Sequence, residues 1–162
     1  MEIEKPGAER VLSREEAVHF VSRRRAAGAS IVFTNGVFDL LHPGHLRYLQ
    51  AARGYGDALV VGLNSDTSVR RNKGEGRPIV PGSERAEALA ALACVDAVVQ
   101  FDEDTPAEIV RAIQPDVLVK GADWGADAIV GRDTVERRGG RVERIKLEEG
   151  LSTSAIIAKV KG

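Results

Sequence analysis

One stretch of the chain constrains its fold more than any other: residues 31–50, which read IVFTNGVFDLLHPGHLRYLQ. Its short apolar start is typical of a buried strand, and glycine, polar residues and two histidines then precede a helical pattern of apolar residues. Pro43 suits the first turn of a helix. A strand that runs through a glycine-containing loop into a helix leaves backbone N–H groups free at the helix N-terminus, where anions bind. The stretch therefore predicts a phosphate site.

The rest of the chain alternates between strand and helix patterns. Further strands are predicted at residues 57–64, 95–101, 116–120 and 141–147, and the last alternates in polarity as an edge strand does. Helical patterns lie between them, including one at residues 126–138, and Ser13 and Glu16 have the spacing of a capping box at the start of the first helix. The polar and glycine-rich residues 66–82 predict a loop. We therefore expect an α/β fold with a single doubly wound, parallel, five-stranded sheet. Ligands of such sheets bind beyond the carboxyl ends of the strands.

Composition narrows the class of protein. The 162 residues are 43% hydrophobic and 29% charged, as in a soluble globular domain, and no apolar run approaches the length of a membrane span. We expect an N-terminal arm and helix at residues 1–28, packed on the main domain at residues 29–162. The arm has no signal-peptide pattern, so the expected compartment is the cytoplasm. A net charge of -1 provides no general field for nucleic acid. The single Cys94 is expected to be a small core residue.

The two histidines of the loop, His42 and His45, allow three interpretations. They could be hydrogen-bonded structural residues, ligands of a metal, or donors to a phosphate. No cysteine or HExxH context supports zinc. Because a phosphate site is predicted beside them, we favour the functional interpretation.

Other cationic and hydroxyl side chains follow predicted strands. Lys73 lies in the glycine-rich segment after the second strand and could close over a phosphate, with Arg77 nearby. Lys120 ends an apolar strand, where a buried ammonium group needs an anion. Residues 152–154, Ser-Thr-Ser, stand at a predicted helix N-terminus and suit either capping or phosphate binding.

Taken together, these segments resemble a known family. Residues 35–39 (NGVFD) and 42–45 (HPGH) match the HxGH signature of the nucleotidylyltransferases, which have a Rossmann-like fold. Residues 72–74, 120–124 (KGADW) and 149–154 (EGLSTS) fall in the order of one branch. That branch contains the adenylyltransferases that act on D-glycero-β-D-manno-heptose 1-phosphate. The similarity extends from about Ser13 to the C-terminus.

The resemblance implies a role for each matching residue. His42, His45 and Lys73 are expected to be catalytic, whereas Asp39 and Arg77 are expected to contact the second substrate. Mg²⁺ is expected to accompany ATP, with Asp39 as its protein partner. The expected nucleotide-binding residues are Asn35, Gly36, Phe38, Gly44, Lys120, Gly121, Asp123, Trp124, Glu149, Gly150, Ser152, Thr153 and Ser154.

The implied reaction transfers AMP from ATP to the sugar phosphate and gives ADP-heptose, a lipopolysaccharide precursor, and pyrophosphate. The expected partners are thus ATP and a sugar phosphate supplied by a separate kinase, without nucleic acid or membrane, and a homodimer is left open. Cytidylyl transfer to glycerol 3-phosphate, FAD synthesis and a noncatalytic nucleotide-binding module remain alternatives. Leu147 stands where the cytidylyltransferase RTEGISTS pattern has arginine, which argues against the first of these. A dinucleotide-binding oxidoreductase would need a GxGxxG motif, which the first loop lacks.

Overall fold

A computed structural model describes residue 3, residues 5–123 and residues 125–162. Thirteen helices and strands are assigned there, with two short 3-10 turns at Ala8–Arg10 and Ala126–Ala128. The strands are β1 (Val11–Leu12), β2 (Ile31–Gly36), β3 (Ala58–Asn64), β4 (Ala97–Phe101), β5 (Val117–Gly121) and β6 (Arg141–Ile145). The helices are α1 (Arg14–Ala26), α2 (Pro43–Arg53), α3 (Asp66–Lys73), α4 (Gly82–Ala90), α5 (Ala107–Ile113), α6 (Arg132–Arg137) and α7 (Thr153–Lys161).

The strands form one parallel sheet in the order β1-β4-β3-β2-β5-β6. The predicted parallel α/β fold is confirmed, but the predicted number of five strands is wrong. The sixth strand is β1, which lies inside the predicted N-terminal arm and pairs Val11 with Val98 and Leu12 with Val99. Two residues are too few to show the alternation by which a strand is recognised in a sequence.

Helices cover both faces of the sheet and create two apolar cores. One core holds Phe33 of β2 and Leu118 of β5 together with residues of α1 and α5. The other holds Val32 and Val119 with residues of α2 and α4. All seven residues of β3 are buried, as its continuous apolar run predicts. By contrast, β6 lies at the edge and is only partly buried, as its alternating pattern predicts.

The predicted loop at residues 66–82 is wrong in its first half, which forms α3. The helix begins after Ser65, whose hydroxyl accepts from the backbone N–H of Ser68, and it buries only Ser68 and Val69. So narrow a buried face leaves no apolar periodicity to detect. Lys73 is therefore the last residue of a helix rather than part of a flexible loop, and Gly74 follows it at φ 96°.

The predicted helix ends were more accurate where a capping side chain marked them. Ser13 forms the predicted capping box with Glu16, and Ser152 caps α7 by accepting from the N–H of Ala155. The helix predicted at residues 126–138 is shorter: a 3-10 turn and α6 share that segment. In the part of the chain that the structure covers, no helix is long and apolar enough to cross a membrane.

Candidate active site

The site lies where the strand order reverses, between β2 and β5, at the carboxyl ends of the strands. A cavity of about 620 Å³ opens there. Most of the residues predicted for the site line it: Asn35, Gly36, Phe38, Asp39, His42, Gly44, His45, Lys73, Arg77, Lys120, Gly121, Asp123, Ser152, Thr153 and Ser154. Glu149 and Gly150 precede α7 and do not line the cavity, and Trp124 lies outside the described residues.

The two histidines stand at the N-terminus of α2 with their rings stacked. Their centroids are 3.8 Å apart and the ring planes differ by 28°. His42 is the N-cap residue, and its Nδ1 accepts from the N–H of Gly44 at 3.1 Å. Nδ1 of His45 accepts from the N–H of His42 at 3.3 Å. The HxGH spacing therefore builds a capping box from imidazoles instead of a hydroxyl and a carboxylate.

Only glycine fits between the two histidines, because there is no room for a side chain at position 44. A Cβ at Gly44 would lie 2.9 Å from two atoms of the His42 ring and 3.2 Å from Cβ of Leu151. Any side chain there would displace the ring that caps the helix. Just before this loop turns into the helix, Phe38 and Leu40 adopt positive φ values of 49° and 52°. Backbone strain of this kind is concentrated at functional sites.

The hydrogen bonds fix where each imidazole carries its proton. An Nδ1 that accepts from the backbone has no hydrogen, so in the neutral ring Nε2 is the donor. Burial lowers the pKa of His42. Burial, together with His42, lowers the pKa of His45 to about 4, although Asp39 opposes the shift. Both rings are therefore neutral at pH 7, and each presents an Nε2–H donor.

A lysine at the end of β5 lines the same cavity as the histidines. The ammonium group of Lys120, at the end of β5, donates to Oδ1 of Asn35 at 2.5 Å. Burial lowers the pKa of Lys120 to about 8, while Asp123 counteracts the shift. The ammonium group is thus mostly charged at pH 7 but poorly hydrated. Such a buried cation attracts an anionic ligand more strongly than an exposed one does.

Asp39 binds protein groups rather than facing the cavity with free oxygens. Its carboxylate accepts from Arg77 Nε at 2.9 Å and from the backbone N–H groups of Ile79 and Val80 at 2.8 and 2.9 Å. The side chain is fully buried. Burial raises its pKa, but these three donors outweigh the effect, so the pKa lies below its usual value. The carboxylate thus fastens residues 77–80 to the histidine loop.

This geometry does not suit the expected direct contact between Asp39 and Mg²⁺. A metal ion would have to reach a side chain that is fully buried and already accepts hydrogen bonds from three protein groups. Among the described residues, no group of three or more His, Cys, Asp or Glu side chains could hold a metal ion.

The start of α7 closes one side of the cavity. Thr153 Oγ1 donates to the backbone oxygen of Asp39 at 2.6 Å, and Arg47 forms an ion pair with Glu148 just before α7. None of the described residues of α7 is fully buried, so the N-terminal contacts hold this helix in place. Ser152 and Ser154 bring further hydroxyl groups to the same wall.

Several lining residues escaped the sequence analysis: Val37, Tyr48, Asn64, Asp104, Pro106, Ala128, Ile129 and Val130. Asn64 ends β3 and Asp104 follows β4, so their places after strands could have revealed them. Tyr48 looked like one more apolar residue of α2. Ile129 and Val130 carry no motif. The sequence analysis also missed Arg85, which is buried. Its guanidinium donates to the carbonyls of Val37, Asn64 and Val80 and to the carboxylate of Asp66.

Comparison with known sequences identifies this arrangement. Residues 33–159, more than half of the chain, match the sequence profile of the family described as cytidylyltransferase-like. The chain belongs to the cytidylyltransferase-like family. The predicted nucleotidylyltransferase family is thereby confirmed, and the cavity with its histidine pair belongs to a nucleotidylyltransferase domain.

Relatives of this cytidylyltransferase-like domain are much longer. "Bifunctional protein HldE" of Citrifermentans bemidjiense is 58% identical over 142 residues, which cover 88% of this chain and 29% of that protein. The protein of the same name from Geobacter sulfurreducens is 51% identical over 154 residues, or 95% of this chain and 31% of that protein. The chain thus spans about three tenths of the length of these relatives.

Solved structures share the fold. A lipopolysaccharide core biosynthesis protein from Thermoplasma volcanium is 30% identical, with a TM-score of 0.61 over 75% of this chain and 98% of that one. A protein of unknown function from Archaeoglobus fulgidus, 19% identical, has a TM-score of 0.56 over 75% of this chain and 93% of that chain, which shows the fold alone.

Proposed function

We propose that the chain transfers AMP from ATP to D-glycero-β-D-manno-heptose 1-phosphate, giving ADP-heptose and pyrophosphate. The observation that carries the proposal is the stacked pair His42 and His45 at the N-terminus of α2. Both Nδ1 atoms accept from the backbone, so both Nε2–H groups serve as donors to phosphate oxygens. The acceptor is inferred from the heptose-branch motifs and from the 51–58% identity to the HldE proteins.

The reaction requires no activated side-chain nucleophile. An oxygen of the sugar 1-phosphate attacks the α-phosphorus of ATP, and the bond from that phosphorus to the bridging oxygen of pyrophosphate breaks on the opposite side. A phosphate monoester has a second pKa of about 6, so the attacking oxygen is already largely ionised at pH 7. What the protein must supply is orientation of two anions and stabilisation of the charge that develops on the α-phosphoryl and leaving oxygens.

In this proposal, neutral hydrogen-bond donors and positively charged side chains together orient the two anions and stabilise the developing charge. The histidine pair suits the α- and β-phosphates, because its two Nε2–H groups add donors without bringing another full charge. The backbone N–H groups of the first turn of α2 already bond to His42. Lys120 contributes a poorly hydrated positive charge from the end of β5. Lys73, exposed at the end of α3, can reach the outer phosphates. Arg77 is held by Asp39 at the cavity rim, where it suits the phosphate of the sugar.

No step of the proposed reaction depends on a metal ion bound directly by protein side chains. The Mg²⁺ that accompanies ATP would be coordinated by phosphate oxygens and water, as is usual for this ion. The protein would then recognise the ion only through the phosphates that carry it. Asp39 acts in this proposal by holding Arg77 and residues 77–80.

The alternatives differ in donor and acceptor rather than in chemistry. Leu147, which replaces the arginine of the cytidylyltransferase pattern, lines the cavity beside Gly121 and can offer no hydrogen bond to a cytosine ring. A buried polar edge of the base left unpaired there would cost about 1–3 kcal/mol. This favours ATP over CTP.

A substrate matrix tests the proposal. ATP, CTP and GTP are each combined with heptose 1-phosphate, glycerol 3-phosphate, ethanolamine phosphate and flavin mononucleotide, and pyrophosphate release is measured. We expect the highest kcat/KM for ATP with heptose 1-phosphate. A higher value for CTP with glycerol 3-phosphate, or for ATP with the flavin, would replace the acceptor but keep nucleotidyl transfer. No release from any pair, despite measurable ATP binding, would favour a noncatalytic nucleotide-binding module.

A further inference from the structure

The two strands at the switch point separate before they end. β2 and β5 pair at only two positions, and the second of these joins Phe33 to Leu118. On its other side each strand stays paired to its last residue, Gly36 in β2 and Gly121 in β5. The final three residues of the two strands therefore flank an opening in the ladder. Four of these residues, Asn35, Gly36, Lys120 and Gly121, line the cavity.

Tyr48 fills the first position of the opening. Its hydroxyl oxygen lies 2.8 Å from Thr34 Oγ1 and 3.2 Å from the carbonyl oxygen of Val119. A carbonyl can only accept, so the phenol donates to Val119 and the hydroxyl of Thr34 donates to the phenol. Burial raises the pKa of Tyr48 to about 12, so the phenol remains a donor at any working pH. One oxygen atom of α2 thus joins two strands that no longer pair with each other.

The next position of the opening is the Lys120–Asn35 contact. Each residue directly follows one of the two that bind Tyr48, because Asn35 follows Thr34 and Lys120 follows Val119. Successive side chains of a strand point to opposite faces, so Tyr48 acts from the α2 face and Lys120 lies on the other. The distance between the two strands at Tyr48 therefore determines the distance between the backbones of Asn35 and Lys120, one residue further along.

We propose that Tyr48 is a positioning residue for nucleotidyl transfer, whose hydroxyl sets the width of the β2–β5 opening and so places the Lys120 ammonium group against Asn35. This inference rests on the proposed function for its catalytic consequence, since Lys120 must meet a phosphate for its placement to affect the rate. The placement itself is a property of the ligand-free protein. It can therefore be measured without turnover.

Tyr48→Phe is the test, because it removes only the hydroxyl and keeps the ring that packs in the core. The chain has two tyrosines, and Tyr55→Phe is the matched control, since Tyr55 packs against the same core away from the opening. Carbon-13 NMR of labelled lysine, assigned with Lys120→Arg, gives the pKa of Lys120 in each protein. Steady-state assays give kcat and KM, and circular dichroism gives the melting temperature.

We expect the pKa of Lys120 to rise from about 8 toward its ordinary value in Tyr48→Phe, since a loosened opening admits water to the ammonium group. We also expect kcat to fall by on the order of tenfold with little change in KM for ATP. Tyr55→Phe should leave both quantities unchanged.

An unchanged pKa of Lys120 in folded Tyr48→Phe overturns the positioning role, whatever the rates. So does a lower melting temperature accompanied by wild-type kcat and wild-type pKa, since that result describes a merely structural tyrosine. If the wild-type protein transfers no nucleotide in any substrate pair, the proposed function fails by itself. The change in the pKa of Lys120 would still support or overturn the placement.

Discussion

At the scale of single residues, the role proposed for His42 and His45 depends on which nitrogen of each ring carries the hydrogen. Because the backbone occupies both Nδ1 atoms, loss of one imidazole removes one Nε2–H donor and one cap of α2. We expect His45→Ala to lower kcat by a factor on the order of 10² to 10³, as loss of one oxyanion donor does. His19→Ala, which alters an exposed histidine of α1, is the control. Equal pyrophosphate release by His45→Ala and wild type would contradict the assignment.

The titration of His45 gives a second prediction at this scale. With a folded pKa of about 4 and an ordinary value of 6.5, the unfolded chain binds a proton between these pH values that the folded chain does not. The contribution of His45 to stability is therefore full above pH 6.5 and decreases as pH falls toward 4. NMR of the ring C–H signals should show His45 neutral at pH 6. A midpoint near 6.5 would mean that the ring of His45 is not buried beside His42 as the structure places it.

Lys73 should act on binding rather than on stability. It is exposed at the end of α3, and exposed lysines contribute little to the free energy of unfolding. We expect Lys73→Ala to raise KM for ATP by about tenfold while the melting temperature stays within about 1 °C. Lys159→Ala, in exposed α7, is the matched control. A melting temperature several degrees lower with unchanged kinetics would indicate a structural role.

At the scale of elements, the segment between α3 and α4 depends on the carboxylate of Asp39. Asp39→Asn should reduce the free energy of unfolding by about 3 kcal/mol, because it leaves buried donors, including the guanidinium of Arg77, without a charged acceptor. The isosteric control is Asp127→Asn at an exposed position. Urea unfolding at pH 7 measures the difference.

The pH dependence of that difference follows from the lowered pKa of Asp39. A carboxylate whose folded pKa is depressed stabilises the protein above its unfolded pKa, and the effect is lost as pH falls through the folded value. The gap between wild type and Asp39→Asn should therefore be constant from pH 7 to 5 and should shrink below about pH 4. A gap that stays constant to pH 3 would argue against the charged hydrogen bonds.

Elements differed in how readily the sequence predicted them. Buried β3 and the capped helices α1 and α7 were predictable, because continuous apolar runs and capping side chains are local signals. α3 and β1 were not, because a helix with a single buried apolar residue and a two-residue strand carry no local pattern and depend on tertiary contacts. The site followed the same rule. The HxGH loop was predicted from local pattern, whereas Tyr48 gains its role only from where β2 and β5 separate.

At the scale of the whole molecule, the residues of the candidate site and the edge strand β1 lie in different parts of the sheet. The cavity opens at the carboxyl ends of β2 and β5 in the middle of the sheet, whereas β1 closes one lateral edge beside β4. Arg10 donates to the carbonyl of Val95 at 3.1 Å, and Leu12 packs against the core shared by α1 and α5. The first strand should therefore matter for the free energy of unfolding but not for the reaction.

Deletion of residues 1–12 tests this separation while leaving Ser13 to cap α1. Loss of two paired residues and of the Leu12 packing should cost about 2 kcal/mol, which corresponds to a melting temperature lower by roughly 5 °C. At 25 °C, below both melting temperatures, kcat/KM should remain within about twofold of wild type, because no cavity-lining residue is removed. Leu12→Ser in the full chain should reproduce part of the decrease in melting temperature, because it removes the apolar packing without shortening the chain. A large loss of kcat/KM at unchanged melting temperature would instead place the arm within the catalytic unit.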